Sequence, residues 1–193
     1  MSKGLRKLGA AVSNASPLDF LAKIGRLDLL KAFAGRIIIP QHVFLEVVEK
    51  AAAKGLPSAA VIRRGVQDGW IEVKDSPEDG LLMQLINVRG VHVGEAYAVR
   101  LAKAEGVKHI LIDDRVGADL AEVEGLQPIG TLAILIHACR ENYIRFPDFI
   151  ECLSKLERKG FWLRPRVREG AIRLVRWELM RLGREKEVQE VIE

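Results

Sequence analysis

The chain has 193 residues, of which 49% are hydrophobic and 29% charged, and a formal net charge of +4. That length and balance suit one well-buried globular domain with a small appendage and exclude a disordered chain. No apolar run reaches the roughly 18 residues of a membrane span, and no apolar signal core follows the basic start Met1 to Leu8, so a cytoplasmic protein with no membrane partner is expected.

In chain order, Gly9 to Ser13 reads as a first strand ending at Asn14. Ser16 is expected to N-cap a helix with Pro17 in its first position, and Leu18 to Phe33 carries a helical stripe interrupted at Gly25. Arg36-Ile37-Ile38-Ile39-Pro40 is a second strand, apolar enough to be buried on both faces. A helix runs from Val43 past Ala53, and Pro57 restarts one through Val66. Trp70 to Lys74 alternates as an edge strand, and Glu78 to Val88 and Gly94 onward are helical. His109 to Ile112 is a buried strand that stops at Asp113-Asp114. A helix from Arg115 to Gly125 is expected to turn Val116, Leu120 and Val123 inward. Gln127 to Ile129 is a last strand, and Gly130-Thr131 opens an apolar helix through Cys139.

Beyond Phe146 the pattern changes to two amphipathic helices, Pro147 to Lys159 and Pro165 to Arg181, with Phe161 and Trp162 between them expected to pack in the helical core. The charged end, Glu185 to Glu193, is expected to fray. Cys139 and Cys152 lack metal-type spacing and read as buried thiols. The wealth of Glu, Lys, Arg, Val and Ile against few Asn and Gln is of the thermophile type. Strands alternating with helices give an α/β class: a three-layer α/β/α domain over residues 9–146 with a central parallel sheet of about four or five strands. A C-terminal helical extension, 147–193, is expected to pack on the same domain.

Right-handed crossovers bring the carboxyl ends of parallel strands to one edge. That edge would collect Asn14, Glu46, Glu95, Asp113 and Asp114. Hard divalent cations take such oxygen donors, and paired ions can drive phosphodiester hydrolysis with water as nucleophile. The four histidines have no ligand spacing, so zinc chemistry and a Ser-His-Asp triad are poorly supported. Several of these residues also have a plainer reading: Glu46 as a solvated helix residue, Glu95 as a helix-dipole partner, Asp114 and, after the last strand, Thr131 as caps.

Several segments resemble the PIN-domain family, closest to its VapC-like archaeal and bacterial branch. They are Val12-Ser13-Asn14-Ala15-Ser16-Pro17-Leu18, Leu21 to Leu30, Ile39-Pro40 with Val43 and Glu46-Val47-Val48, Gly94-Glu95-Ala96, Leu111 to Arg115, and Ile129-Gly130-Thr131-Leu132. The resemblance implies an endoribonuclease fold using Mg²⁺ or Mn²⁺, often a toxin that forms homodimers and is held by an antitoxin protein. It carries catalytic roles to Glu46, Glu95, Asp113 and Asp114, metal ligation to Asn14, Glu95, Asp113 and Asp114, and supporting roles to Ser16 and Thr131. Arg115, Arg164, Arg166 and Arg168 are candidate contacts to RNA or a partner. Asn14 departs from the family's usual Asp, and its amide brings no charge. The alternative reading is therefore a catalytically impaired RNA- or protein-binding module. A phosphoacceptor receiver domain fits poorly, because its acidic pair belongs after the first strand.

Overall fold

The computed structural model describes residues 8–190. Most of the basic start, Met1 to Lys7, and the last part of the charged end, 191–193, lie outside them. The chain divides into two compact units, one ending at Thr131 and one beginning at Leu132.

The first unit is built on a five-stranded, all-parallel sheet in the order β3-β2-β1-β4-β5. Its strands are β1 (Ala10–Ser13), β2 (Arg36–Pro40), β3 (Ile71–Lys74), β4 (His109–Leu111) and β5 (Gln127–Ile129). Helices flank the sheet in the expected α/β/α arrangement. In β2 the isoleucines alternate between faces, as the period of two requires, and all three are fully buried, each worth about 1.5–3 kcal/mol. Val12, Ile38, Ile110 and Ile112 pack against α6 (Gly80–Ile86), α7 (Val93–Ala104) and α8 (Arg115–Val123) through Leu82, Leu85, Val99 and Leu120. Before β2 come α1 (Ala15–Lys23) and α2 (Asp28–Ala34), separated at Gly25, whose φ of 72° favours glycine. Between β2 and β3 lie α3 (Gln41–Phe44), a π-helical segment (Leu45–Lys50), α4 (Ala51–Ala53) and α5 (Pro57–Gln67).

Strand order reverses direction between β1 and β4. In open parallel sheets, ligands bind at the carboxyl ends of the strands flanking that point. Asn14 follows β1 and Asp113-Asp114 follows β4, and the two chain segments are joined there by the Asn14 N–H donating to the Leu111 carbonyl at 3.0 Å.

The second unit contains most of α9 (Thr131–Arg140), then α10 (Phe146–Arg158), α11 (Pro165–Arg181) and α12 (Glu185–Gln189). Phe149, Leu153, Leu156, Val175 and Leu179 are buried. Both cysteines are buried thiols outside any disulfide, and burial pushes the Cys139 thiol up to about 12. Among the described residues no helix is long and apolar enough to cross a membrane.

Four expectations need correction. Asn14, not Ser16, is the N-cap of α1, because the helix already begins at Ala15. Val116 and Val123 are exposed: α8 buries Gly117, Leu120 and Ala121 instead. Trp162 is 76% exposed and lies outside any core. Glu185–Gln189 is a helix whose Val188 is buried and whose Glu187 is gripped by Arg184.

Candidate active site

The cleft at the carboxyl edge of the sheet is assembled from three separate segments. Asn14, Ala15 and Ser16 come from the start of α1, Glu46 from the π-helical segment, and His92, Gly94 and Glu95 from the start of α7; together they line about 250 Å³. Two of its polar groups are fixed by the helix ends that they serve. Asn14 Oδ1 accepts from Ser16 N at 3.2 Å, satisfying one of the free N–H groups of the first turn of α1. Glu95 Oε2 accepts from His92 N at 3.0 Å, closing a capping box on α7. Glu46 is exposed on the opposite wall, and a Cβ placed on Gly94 would stand 3.6 Å from its Oε2.

Glu95 is only 4% exposed. Burial pushes its carboxyl above the usual carboxylate range; the His92 N–H draws it back, and the charge of Asp114 pushes it further up. A buried carboxylate beside a second one is held ionised at a cost unless a cation compensates.

Asp114 and Asp113 differ in what they do. Asp114 N-caps α8, its Oδ1 accepting from Gly117 N at 3.0 Å. Asp113 is turned to Thr131, accepting from its N–H at 2.6 Å and its hydroxyl at 2.7 Å, one bond on each carboxylate oxygen. Burial raises Asp113 as well, and the two Thr131 bonds oppose it. The structure thus brings Asn14, Ser16, Glu46 and Glu95 onto one cleft, puts Asp114 within electrostatic reach of Glu95, and pairs Asp113 with Thr131.

The surface arginines are dispersed. Arg115 is exposed and pairs loosely with Asp119 at 3.8 Å. Arg164 stacks over the Trp162 ring, 4.8 Å from its centroid, and Arg168 pairs with Glu157 at 3.3 Å. Arg166 is exposed.

Besides the His92 imidazole, the side-chain donors on the cleft are oxygens, from Asn14, Ser16, Glu46 and Glu95. Two carboxylates and an amide suit a Mg²⁺-type ion, which takes one or two carboxylates and completes its shell with water and phosphate. Among the described residues, no group of three or more His, Cys, Asp or Glu side chains is placed to hold a metal ion. An open, partly hydrated site fits this donor set, and a closed one does not.

Residues 10–176 match the family model of the PIN domain. The chain belongs to the PIN-domain family. A PIN domain is a nuclease-type fold that generally uses divalent metal ions, and PIN nucleases typically bind RNA. Comparison with curated proteins and with solved structures gives no match.

Three participants in this PIN-domain cleft escaped the sequence reading. His92 supplies the N–H that orients Glu95. Gly117 leaves room for Glu95, since a Cβ there would lie 2.9 Å from Glu95 Oε2. The π-helical turn carries Glu46; such turns recur at functional sites, but nothing in Leu45 to Lys50 announces one.

Proposed function

We propose that this PIN domain is a divalent-metal-dependent endoribonuclease that hydrolyses RNA phosphodiester bonds, with water as nucleophile. The observation that carries the reading is the convergence of Asn14, Glu46 and Glu95, from three separate segments, on one cleft at the switch point of the sheet.

Glu46, Glu95 and Asn14 would hold Mg²⁺ or Mn²⁺, with Asp114 adding negative charge behind Glu95. When bound, the ion supplies the positive charge that activates water and stabilises the phosphate oxygens. The chain's own contribution is orientation. Ser16 N fixes the Asn14 amide, His92 N fixes the Glu95 carboxylate, and the Asp113–Thr131 pair fixes the loop after β4. Within this reading we assign the chain to the VapC-like toxin branch, active as a homodimer and restrained by an antitoxin protein. The exposed Arg164 and Arg166 suit the acids of such a partner or the phosphates of RNA.

The test is cleavage of varied RNA by the purified chain with Mn²⁺, alongside the Glu46→Gln and Glu95→Gln variants. Cutting that survives both substitutions, or no cutting by the parent chain, rejects the reading.

Asn14 favours a second reading, a catalytically impaired RNA- or protein-binding module, because its neutral side chain already serves as a helix cap. Asn14→Asp separates the two. Cleavage that appears only in the variant makes the parent chain a binding module; equal cleavage by both rules the module out.

A further inference from the structure

The two walls of the acidic cleft are held in different ways. The Glu95 carboxylate is tied to His92 N at 3.0 Å on the first turn of α7. Among the described residues, no hydrogen bond or ion pair holds the Glu46 carboxylate, which is exposed. Its place is therefore set by the backbone that carries it, a π-helical segment continuous with α3. Burial of Val43, Val47 and Val48 anchors that backbone to the core. A further contact ties it to α7. His42, four residues before Glu46, stacks on Tyr97, two residues after Glu95, with ring centroids 5.0 Å apart and planes 12° from parallel.

The stack is itself fixed. The Tyr97 hydroxyl donates to Glu78 Oε1 at 3.0 Å, and the Tyr97 carbonyl accepts from the hydroxyl of the buried Ser76 at 3.2 Å. Gly94 lies about one turn before Tyr97 on α7, and a Cβ built on it would stand 3.9 Å from His42 Cδ2 and 3.6 Å from Glu46 Oε2. The imidazole and the Glu46 carboxylate thus approach the same point of α7. Both rings are half-buried, and neither is among the residues that line the cleft.

We propose that the His42–Tyr97 stack is a brace that sets the span between Glu46 and Glu95, which makes His42 and Tyr97 positioning residues of the cleft. Two flat rings in offset stacking fix separation and tilt together. The lever is short: His42 and Glu46 are about 6 Å apart along a helix axis, so a slip of the ring carries the carboxylate with it. A span shared by two ligand walls has to be held closely, since a displacement of about 1 Å can cost on the order of 100-fold in rate. The proposal rests on the nuclease reading for what the span serves.

The test uses the full chain and reads the brace first without metal. Hydrogen exchange by mass spectrometry in EDTA compares the parent with Tyr97→Leu and His42→Leu, each checked by circular dichroism. Peptides covering residues 41–50 are expected to exchange about fivefold faster in either variant, the opening that follows from losing one aromatic pair, with peptides covering β4 unchanged. The double variant should exchange no faster than the single ones, because all three lack the same stack. Mn²⁺ affinity by calorimetry is expected to fall about fivefold in the leucine variants. For RNA cleavage, kcat should fall about tenfold or more with KM within about threefold of the parent. His42→Phe and Tyr97→Phe keep a ring at each place and should recover Mn²⁺ affinity to within about twofold of the parent. Exchange over residues 41–50 that is unchanged in both leucine variants, or that rises equally along the whole chain, overturns the brace. Leucine variants that bind Mn²⁺ as tightly as a binding-competent parent overturn it as well. A His42→Phe chain that binds Mn²⁺ as the parent does but cannot cut overturns His42 as a positioning residue and gives it a direct part in the reaction. A parent chain that neither binds Mn²⁺ nor cuts RNA rejects the nuclease reading, and the exchange comparison then decides the brace alone.

Discussion

Asp113 gives both of its carboxylate oxygens to Thr131, one to the backbone N–H and one to the hydroxyl. The pair joins the end of β4 to the first residue of α9, and it makes Asp113 a structural acid as well as a candidate ligand. Thr131→Val removes the hydroxyl and leaves one buried carboxylate oxygen without that donor. A charge-assisted bond of this kind is worth about 1.5–3 kcal/mol, so urea denaturation is expected to show a loss in that range. Asp113→Asn should also destabilise the chain, because an amide offers one acceptor where Thr131 presents two donors.

Asp114 should behave in the opposite way. Asn is as good an N-cap as Asp, so Asp114→Asn retains the bond to Gly117 N and changes stability by less than about 0.5 kcal/mol. What it removes is the charge behind Glu95. Under the nuclease reading, Mn²⁺ affinity by calorimetry falls about tenfold and cleavage falls with it. A fold-neutral Asp114→Asn that binds Mn²⁺ as tightly as the parent would exclude Asp114 from the metal's surroundings.

Glu95 predicts a pH dependence with a defined sign. Its folded carboxyl is raised by burial and by Asp114, so the folded chain binds more protons than the unfolded one above the ordinary Glu range. Stability is then greatest at or below the unfolded value and falls as pH rises through the raised one. Glu95→Gln keeps an acceptor for His92 N and cannot ionise. Thermal melts without metal should therefore show a parent chain that loses stability toward neutral pH and a variant that loses less. Identical pH profiles would show that Glu95 carries no such burden.

The strands were legible because their boundaries are chemical. Three isoleucines closed by Pro40 mark β2, and Pro165 and Gly183 bracket α11. The acids were legible because each sits at a strand end or within an early helical turn; the cap reading holds for Asp114, and Asn14 and Glu95 also serve helix ends, which the sequence reading had given to Ser16 and to the helix dipole. Capping and clustering are compatible here, because parallel strands deliver several helix N-termini to one edge. Other features had no local signal. The π-helical segment shifts the phase of the helix after β2, so the apolar spacing of Val43, Val47 and Val48 could not say which way Glu46 points. Phe20 is some thirty residues from Lys50 and Lys54, and the three line one cleft because α1 packs beside that segment. In α8 the hydrophobic spacing favoured Val116 and Val123, whereas the close approach to Glu95 and Ile112 goes to Gly117.

Gly117 therefore gives a sharp test of how tightly the cleft is built. It sits in α8 without positive φ, so helix propensity alone makes Gly117→Ala stabilising by about 1 kcal/mol. Its Cβ, however, would lie 2.5 Å from Ile112 Cδ1 and 2.8 Å from Glu95 Cδ. The isoleucine methyl can rotate aside, but the Glu95 carboxyl is tied to His92 N and can move only by loosening the capping box. Overpacking of this kind costs about 1–3 kcal/mol, which outweighs the propensity gain and leaves a net loss of about 1 kcal/mol. Gly170, in α11, is the control, since a Cβ there meets nothing within 4 Å. Gly170→Ala is expected to stabilise the chain by about 0.5–1 kcal/mol and to leave cleavage unchanged. Gly117→Ala should lower cleavage at least tenfold, with Mn²⁺ affinity reduced in step. If the two alanines act alike in denaturation and in cleavage, Glu95 has freedom that the packing around it denies, and the cleft is looser than its hydrogen bonds describe.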